Sequence, residues 1–152
     1  MVALGSKNHL VDIVIPAFNA ARYIDQTLES IALQGSLVHS IIVVNDGSSD
    51  QTTQRVEAFT QQHPNLSIKL INQTNAGLAN ARNTGIKHAT ASYIALLDAD
   101  DIWVKGKLEQ QLEVFSASQE PRLGVVYTGY ELIDENSLVI SNDKGIIKPQ
   151  AR

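Results

Sequence analysis

The sequence contains no cysteine, so disulfides, a thiolate nucleophile and cysteine-ligated zinc are all excluded. No apolar run approaches the roughly 18 residues of a membrane span. The opening Met1-Val2-Ala3-Leu4-Gly5-Ser6-Lys7 has too short an apolar core for a signal peptide. A cytoplasmic, soluble protein is the expectation. Peripheral association with the inner face of a membrane, through segments outside this sequence, is compatible with it. Clustered basic residues are also missing. Twelve Lys and Arg stand scattered against sixteen Asp and Glu, for a net charge of −4, so no nucleic-acid partner is expected. The four histidines, His9, His39, His63 and His88, lie too far apart for metal-ligand spacing. Two phosphate-binding devices are lacking as well, the G-x-x-x-x-G-K-[ST] loop and G-x-G-x-x-G. Asp46-Gly47-Ser48 has no G-x-S-x-G around it and is no nucleophile elbow.

What remains is an ordinary globular composition, 152 residues with 43% hydrophobic and 18% charged, enough for one domain with a real core. Val11-Asp12-Ile13-Val14-Ile15 reads as a strand stopped by Pro16. Asn19 is a candidate N-cap for a helix with Ile24, Leu28 and Ile31 at helical spacing, ended by Gly35. Ser40 to Val44 is a second strand, followed by the turn cluster Asn45 to Asp50, whose Ser49 or Asp50 would cap a helix running to about Gln62. A third strand spans Leu66 to Ile71. Leu78, Ala81, Gly85 and Ala89 form a small-residue helical stripe. Ser92 to Leu97 reads as a fourth strand, covered on both faces, and a helix carrying Val104, Leu108, Leu112 and Phe115 follows to about Ser118. Leu123 to Tyr127 reads as a further strand and Glu131 to Ile140 as a hairpin. Strand alternating with helix predicts an α/β fold, a Rossmann-like, mostly parallel sheet with helices on both faces.

Such a sheet gathers Pro16 to Asn19, Asn45 to Asp50 and Asp98 to Asp101 on its carboxyl edge, where open α/β folds bind ligands. Three crowded carboxylates, Asp98, Asp100 and Asp101, invite a hard divalent cation. Phe18 could stack on a base, Asp46 could accept from base or ribose, and Arg82 lies within reach on the next helix. Each has a plainer reading: Phe18 as a packing residue, Asp46-Gly47 as a turn, Arg82 on a solvated face, Asp101 as the cap of a helix starting near Ile102. Trp103 reads as a core anchor. Convergence of several loops on one edge favours the site.

These motifs, Val11 to Asn19, Val43-Val44-Asn45-Asp46-Gly47-Ser48-Ser49-Asp50, Asn75 to Gly85 and Leu97-Asp98-Ala99-Asp100-Asp101, resemble in content and order the family-2 glycosyltransferases. Trp103 and Lys107-Leu108-Glu109 fit the usual continuation, so the resemblance spans about residues 11–130. It implies a GT-A fold and transfer of a sugar, with inversion, from a nucleotide-diphosphate donor, a UDP-sugar first, to a saccharide or lipid-linked acceptor in polysaccharide or cell-envelope biosynthesis. It also implies donor contacts from Pro16, Ala17, Phe18 (commonly Tyr in the family), Asp46, Arg82, Asp98 and Ala99, with Mn²⁺ or Mg²⁺ on Asp100. The family's general base comes from a later segment, expected beyond Arg152. On this reading residues 1–152 are the donor-binding half of one domain, incomplete at its C-terminus. The alternatives are a non-catalytic donor-binding remnant and, ranked lower, a sugar nucleotidyltransferase.

Overall fold

The computed structural model describes residues 11–140. His9, Met1 to Lys7 and the polar tail past Ile140 lie outside them. The chain divides into two compact units between Glu109 and Gln110.

In the first unit, β1 (Val11–Ala17), α1 (Ile24–Ala32), β2 (Val38–Asp46), α2 (Thr52–Gln62), β3 (Ile68–Gln73), α3 (Leu78–His88) and β4 (Tyr93–Leu96) alternate as expected. All pairings are parallel, in the order β3-β2-β1-β4. The first three strands therefore step outward in one direction, and the chain then crosses back to place β4 on the free side of β1. That reversal is where such sheets bind ligands. β1 and β2 are the buried centre: Ile13, Val14, Ile15, Ile41, Val43 and Val44 are wholly inaccessible. On one face Val14, Ile42 and Val44 pack against Ala81 of α3. α3 lies so close that a Cβ added at Gly85 would sit 2.3 Å from Val14 Cγ1. Strand side chains alternate, so Ile13, Ile15, Ile41 and Val43 point to the opposite face, where α1 and α2 pack on each other. The expected α/β sheet with helices on both faces is thus present.

Several local expectations need correction. β1 runs on through Pro16 to Ala17, and β2 through Asn45 to Asp46. Asn19 does not cap α1, which begins at Ile24 with no side-chain cap. Instead Asn19 adopts φ 50° and ties two loops together, its N–H donating to Ser48 Oγ and its Oδ1 accepting from Ser49 N–H. α2 starts at Thr52, slightly later than expected, yet Asp50 Oδ1 still accepts from Thr52 N–H. β4 is not covered on both faces, because it is an edge strand among the described residues, and Ile94 and Leu96 stay about half exposed (43% and 50%). The next helix, α4 (Lys107–Ala117), begins well after Ile102, so Asp101 does not cap it. Gly106, with φ 82° just before Lys107, stops a helix from extending backwards.

In the second unit Leu123 to Tyr127 forms no strand. Strand propensity expresses itself only against a partner, and Val125 and Tyr127 are exposed. The hairpin reduces to one antiparallel bridge, Ile133 with Val139, around a turn in which Asp134 Oδ1 accepts from Asn136 and Leu138 N–H. Among the described residues no helix is long and apolar enough to cross a membrane.

Candidate active site

The carboxyl edge of the sheet holds a cleft of about 180 Å³ lined by Pro16, Ala17, Phe18, Asp46, Asn75, Gly77, Leu78 and Ala81. That is below the roughly 300 Å³ at the small end of ligand pockets and suits one ring system better than a whole ligand. Ala17 and Ala81 are buried, whereas Phe18 and Leu78 stand 55% and 52% exposed. Phe18 is therefore an open apolar wall, and its reading as a core packing residue fails.

Asp46 lies almost fully buried at the end of β2. Its Oδ1 accepts from Gln73 Nε2 (2.7 Å) and Ala76 N–H (2.9 Å), and its Oδ2 from Gly77 N–H (2.9 Å). Burial opposes ionisation, but these three donors outweigh it and hold the carboxyl below its ordinary value. Asp46 is thus the anchor of the Asn75–Gly77 loop as well as part of the cleft. Gly47 adopts φ 76°, and a Cβ there would meet Asn75 N at 2.8 Å, so glycine permits both the turn and the close approach of the two loops.

α3 links the cleft to the acidic loop. Ala81 lines the cleft, and its neighbour Arg82 pairs through Nη2 with Asp98 Oδ1 at 2.5 Å. Arg82 is therefore not a solvated face, and its buried Nε has no hydrogen-bond partner. Ala99 is buried. Asp100 is exposed and its carboxylate makes no hydrogen bond or ion pair among the described residues. Asp101 is held above the ordinary carboxylate value, first by partial burial and then by the charges of Asp100 and Asp98. Asp98, Ala99 and Asp100 do not line the cleft; the structure gathers them beside it, through Arg82.

Repulsion among acids that Arg82 relieves only at Asp98, with one carboxylate free of partners, fits a divalent cation. Among the described residues no three His, Cys, Asp or Glu side chains converge as a metal cage. That too is compatible with Mg²⁺-type sites, which take one or two carboxylates and leave other positions to water and substrate phosphates.

Three residues passed over in the sequence position this loop. Thr27 and Ser30 on α1, beside Ile24, Leu28 and Ile31, and Gln34 in the turn just past its end are buried polar residues, and all three bond to backbone between Ala99 and Leu108. Their spacing of three and four residues was the available signal. Asp12 was also missed. It is a buried carboxylate at the opposite, amino edge of the sheet, bonded by His39, Ser40, Thr90 and Ala91.

The profile of glycosyl transferase family 2 matches residues 12–144. A UDP-Glc:α-D-GlcNAc-diphosphoundecaprenol β-1,3-glucosyltransferase of Escherichia coli is 36% identical over 132 residues, 87% of this chain and 50% of that protein. Among solved structures, the mannosyltransferase PcManGT from Pyrobaculum calidifontis, in complex with GDP-Man and Mn²⁺, matches with a TM-score of 0.67 at 28% identity, over 74% of this chain and 33% of its own. S. aureus TarS 1–349 in complex with UDP-GlcNAc matches with a TM-score of 0.64 at 26% identity, over 82% and 40%. The chain spans about half the length of the curated relatives it matches (50% and 54%).

Proposed function

The chain belongs to glycosyl transferase family 2, and from that premise we propose that its GT-A-type sheet edge binds a nucleotide-diphosphate sugar and a divalent cation for transfer of the sugar, with inversion, to an acceptor hydroxyl. The observation that carries this reading is the Arg82–Asp98 pair. It ties the helix that lines a ring-sized cleft to a carboxylate loop, as a donor with a base and a diphosphate requires. Phe18 stacks on the base, Asp98 faces the ribose, and Asp100 holds Mn²⁺ or Mg²⁺. Bound there, the cation supplies Lewis-acid stabilisation to the leaving diphosphate.

Asp46 points to the base. A carboxylate offers about four lone-pair positions, and three are taken by Gln73, Ala76 and Gly77. One position on Oδ2 is left, which matches the single ring N–H of uracil or thymine. Guanine presents an N–H and an amino group side by side and needs two. A UDP- or dTDP-sugar is favoured over a GDP-sugar on this count, and the UDP-GlcNAc bound by TarS makes a UDP-sugar the first choice. The acceptor is a saccharide or lipid-linked hydroxyl, as in the name of the Escherichia coli relative.

Calorimetry with UDP-, dTDP- and GDP-sugars, with and without Mn²⁺, tests the proposal. UDP-sugar binding should strengthen at least about tenfold with metal, the span typical when a metal's surroundings are altered. Asp100→Ala should remove that gain while leaving metal-free binding in place. Binding indifferent to metal and to Asp100→Ala would sink the metal site, and tighter binding of GDP-sugars would sink the base assignment.

A further inference from the structure

Residues 97–106 carry all three carboxylates and contain neither helix nor strand. Within this segment the backbone bonds to itself only in the turn from Asp101 N–H to Asp98 O, at 3.1 Å, while Leu97 N–H reaches Val14 O. Most of its remaining support comes from one side of α1 and the turn that ends it. Thr27 Oγ donates to Ala99 O at 2.9 Å. Ser30 Oγ accepts from Trp103 N–H at 3.1 Å and donates to Thr27 O at 2.7 Å. Gln34 uses both ends of its amide. Nε2 donates to Val104 O (3.0 Å) and Ser30 O (3.1 Å), while Oε1 accepts from Leu108 N–H (3.2 Å).

All three side chains are buried, and buried polar groups stabilise only when satisfied. A helix needing no more than a core face would carry valine, alanine and leucine at these positions at no desolvation cost. Residues at i, i+3 and i+7 share one face, and the turn at Leu33 and Gln34 keeps αR dihedrals past the end of α1, so the three act as a ruler laid along the loop. They grip it at Ala99, at Trp103 and Val104, and at Leu108. Ala99 is the residue between Asp98 and Asp100, so the Thr27 bond fixes the backbone on which both carboxylates hang.

We infer that Thr27, Ser30 and Gln34 are positioning residues that set Asp100 at the height of the diphosphate, so that α1 aligns the carboxylate loop with the base cleft. The inference rests on the donor-site reading above. It assigns no contact with substrate to the stripe.

The test uses the full chain with Thr27→Val, nearly isosteric but without the donor, and Gln34→Leu. UDP with Mn²⁺ reads both cleft and loop, whereas UMP without metal reads the cleft alone. Affinity for UDP with Mn²⁺ should fall about tenfold, as for groups that orient metal ligands, with UMP affinity changed less than twofold. Thr27→Ser should restore the wild-type value. Amide exchange over 97–104 should quicken in the same variants while β1 and β2 stay protected. Unchanged exchange in the loop, unchanged UDP affinity, or equal losses for UDP and UMP would each overturn the inference. A wild-type chain that binds no nucleotide with Mn²⁺ overturns the donor-site reading instead, and the exchange arm still decides whether the stripe fixes the loop. If one variant fails to fold, the other carries the same comparison.

Discussion

Asp12 shows how much one side chain can decide away from the chemistry. It is wholly buried, and burial alone would push its carboxyl up. Donors from Ser40, Ala91, Thr90 and His39 outweigh that and bring it down from 3.8 to about 2. A carboxylate only accepts, so His39 Nδ1, 2.7 Å away, must carry a proton. These bonds clamp the chain that follows α3 to β1 and β2. Because the folded value lies below the unfolded one, the clamp's contribution is complete above about pH 4 and disappears as pH falls toward 2. It amounts to about 1–2 kcal/mol once screening at the sheet margin is allowed for. Asp12→Asn keeps one oxygen for the two backbone donors but puts an NH2 where Ser40 and His39 now donate to the other, and should cost about 1–3 kcal/mol at neutral pH. Urea melts at pH 7 and pH 3 check both. The variant should be far less stable at pH 7, and the gap should narrow at pH 3; an equal gap at both values would show that ionisation of Asp12 is not what matters. In the sequence Asp12 is simply a polar residue inside a strand, and nothing local reveals that four donors converge there from positions up to 79 residues away.

At the scale of elements the sequence was a good guide wherever a period was written into it. β1, β2, α1, α2 and α3 follow from apolar runs and helical stripes that are satisfied locally. The misses share a physical cause. β4 and the Leu123 to Tyr127 segment are apolar runs as β1 is, yet exposure depends on what lies alongside, and among the described residues one is an edge and the other is unpaired. The helix was expected to start near Ile102 with Val104 first in its apolar stripe, but Val104 is 75% exposed and the left-handed Gly106 is the boundary. Of the candidate site, the cleft residues Pro16, Ala17, Phe18 and Asp46 were legible as a group, because strand ends in a parallel sheet share an edge. Thr27, Ser30 and Gln34 showed only as polar residues at helical spacing, because their partners are backbone atoms and leave no side-chain pattern in the loop. Gly85 gives the sharpest prediction for an element. Alanine there gains about 1 kcal/mol of helix propensity, but its Cβ would overlap Val14 Cγ1 at 2.3 Å, and overpacking costs about 1–3 kcal/mol. Gly85→Ala should therefore destabilise the protein in urea melts. Combined with Val14→Ala it should cost less than the sum of the two single changes. Additive losses would mean that α3 can lift away from β1 freely.

The whole molecule carries a net charge of −4, and its proposed ligand is itself an anion. Long-range attraction between them is absent, so affinity has to arise at contact range. Two sources are available: lysines and arginines gripping phosphate oxygens, or a cation held by Asp100. They differ in their response to salt. Contacts between exposed charges weaken as the Debye length shrinks from about 30 Å at 0.01 M to about 8 Å at 0.15 M, and proteins that grip phosphates with basic side chains lose affinity steeply over this range. Direct coordination at bonding distance is screened far less. Basic residues number only twelve and are scattered, and Arg82 already spends a guanidinium nitrogen on Asp98. UDP affinity at saturating Mn²⁺ should accordingly stay within about threefold between 50 and 300 mM NaCl, as net repulsion and local attraction are screened together. Chelation by EDTA should abolish most of it at either salt concentration. A tenfold or greater loss with salt, or an affinity unchanged by EDTA, would place the diphosphate on basic side chains and leave the acidic loop without a part in donor binding.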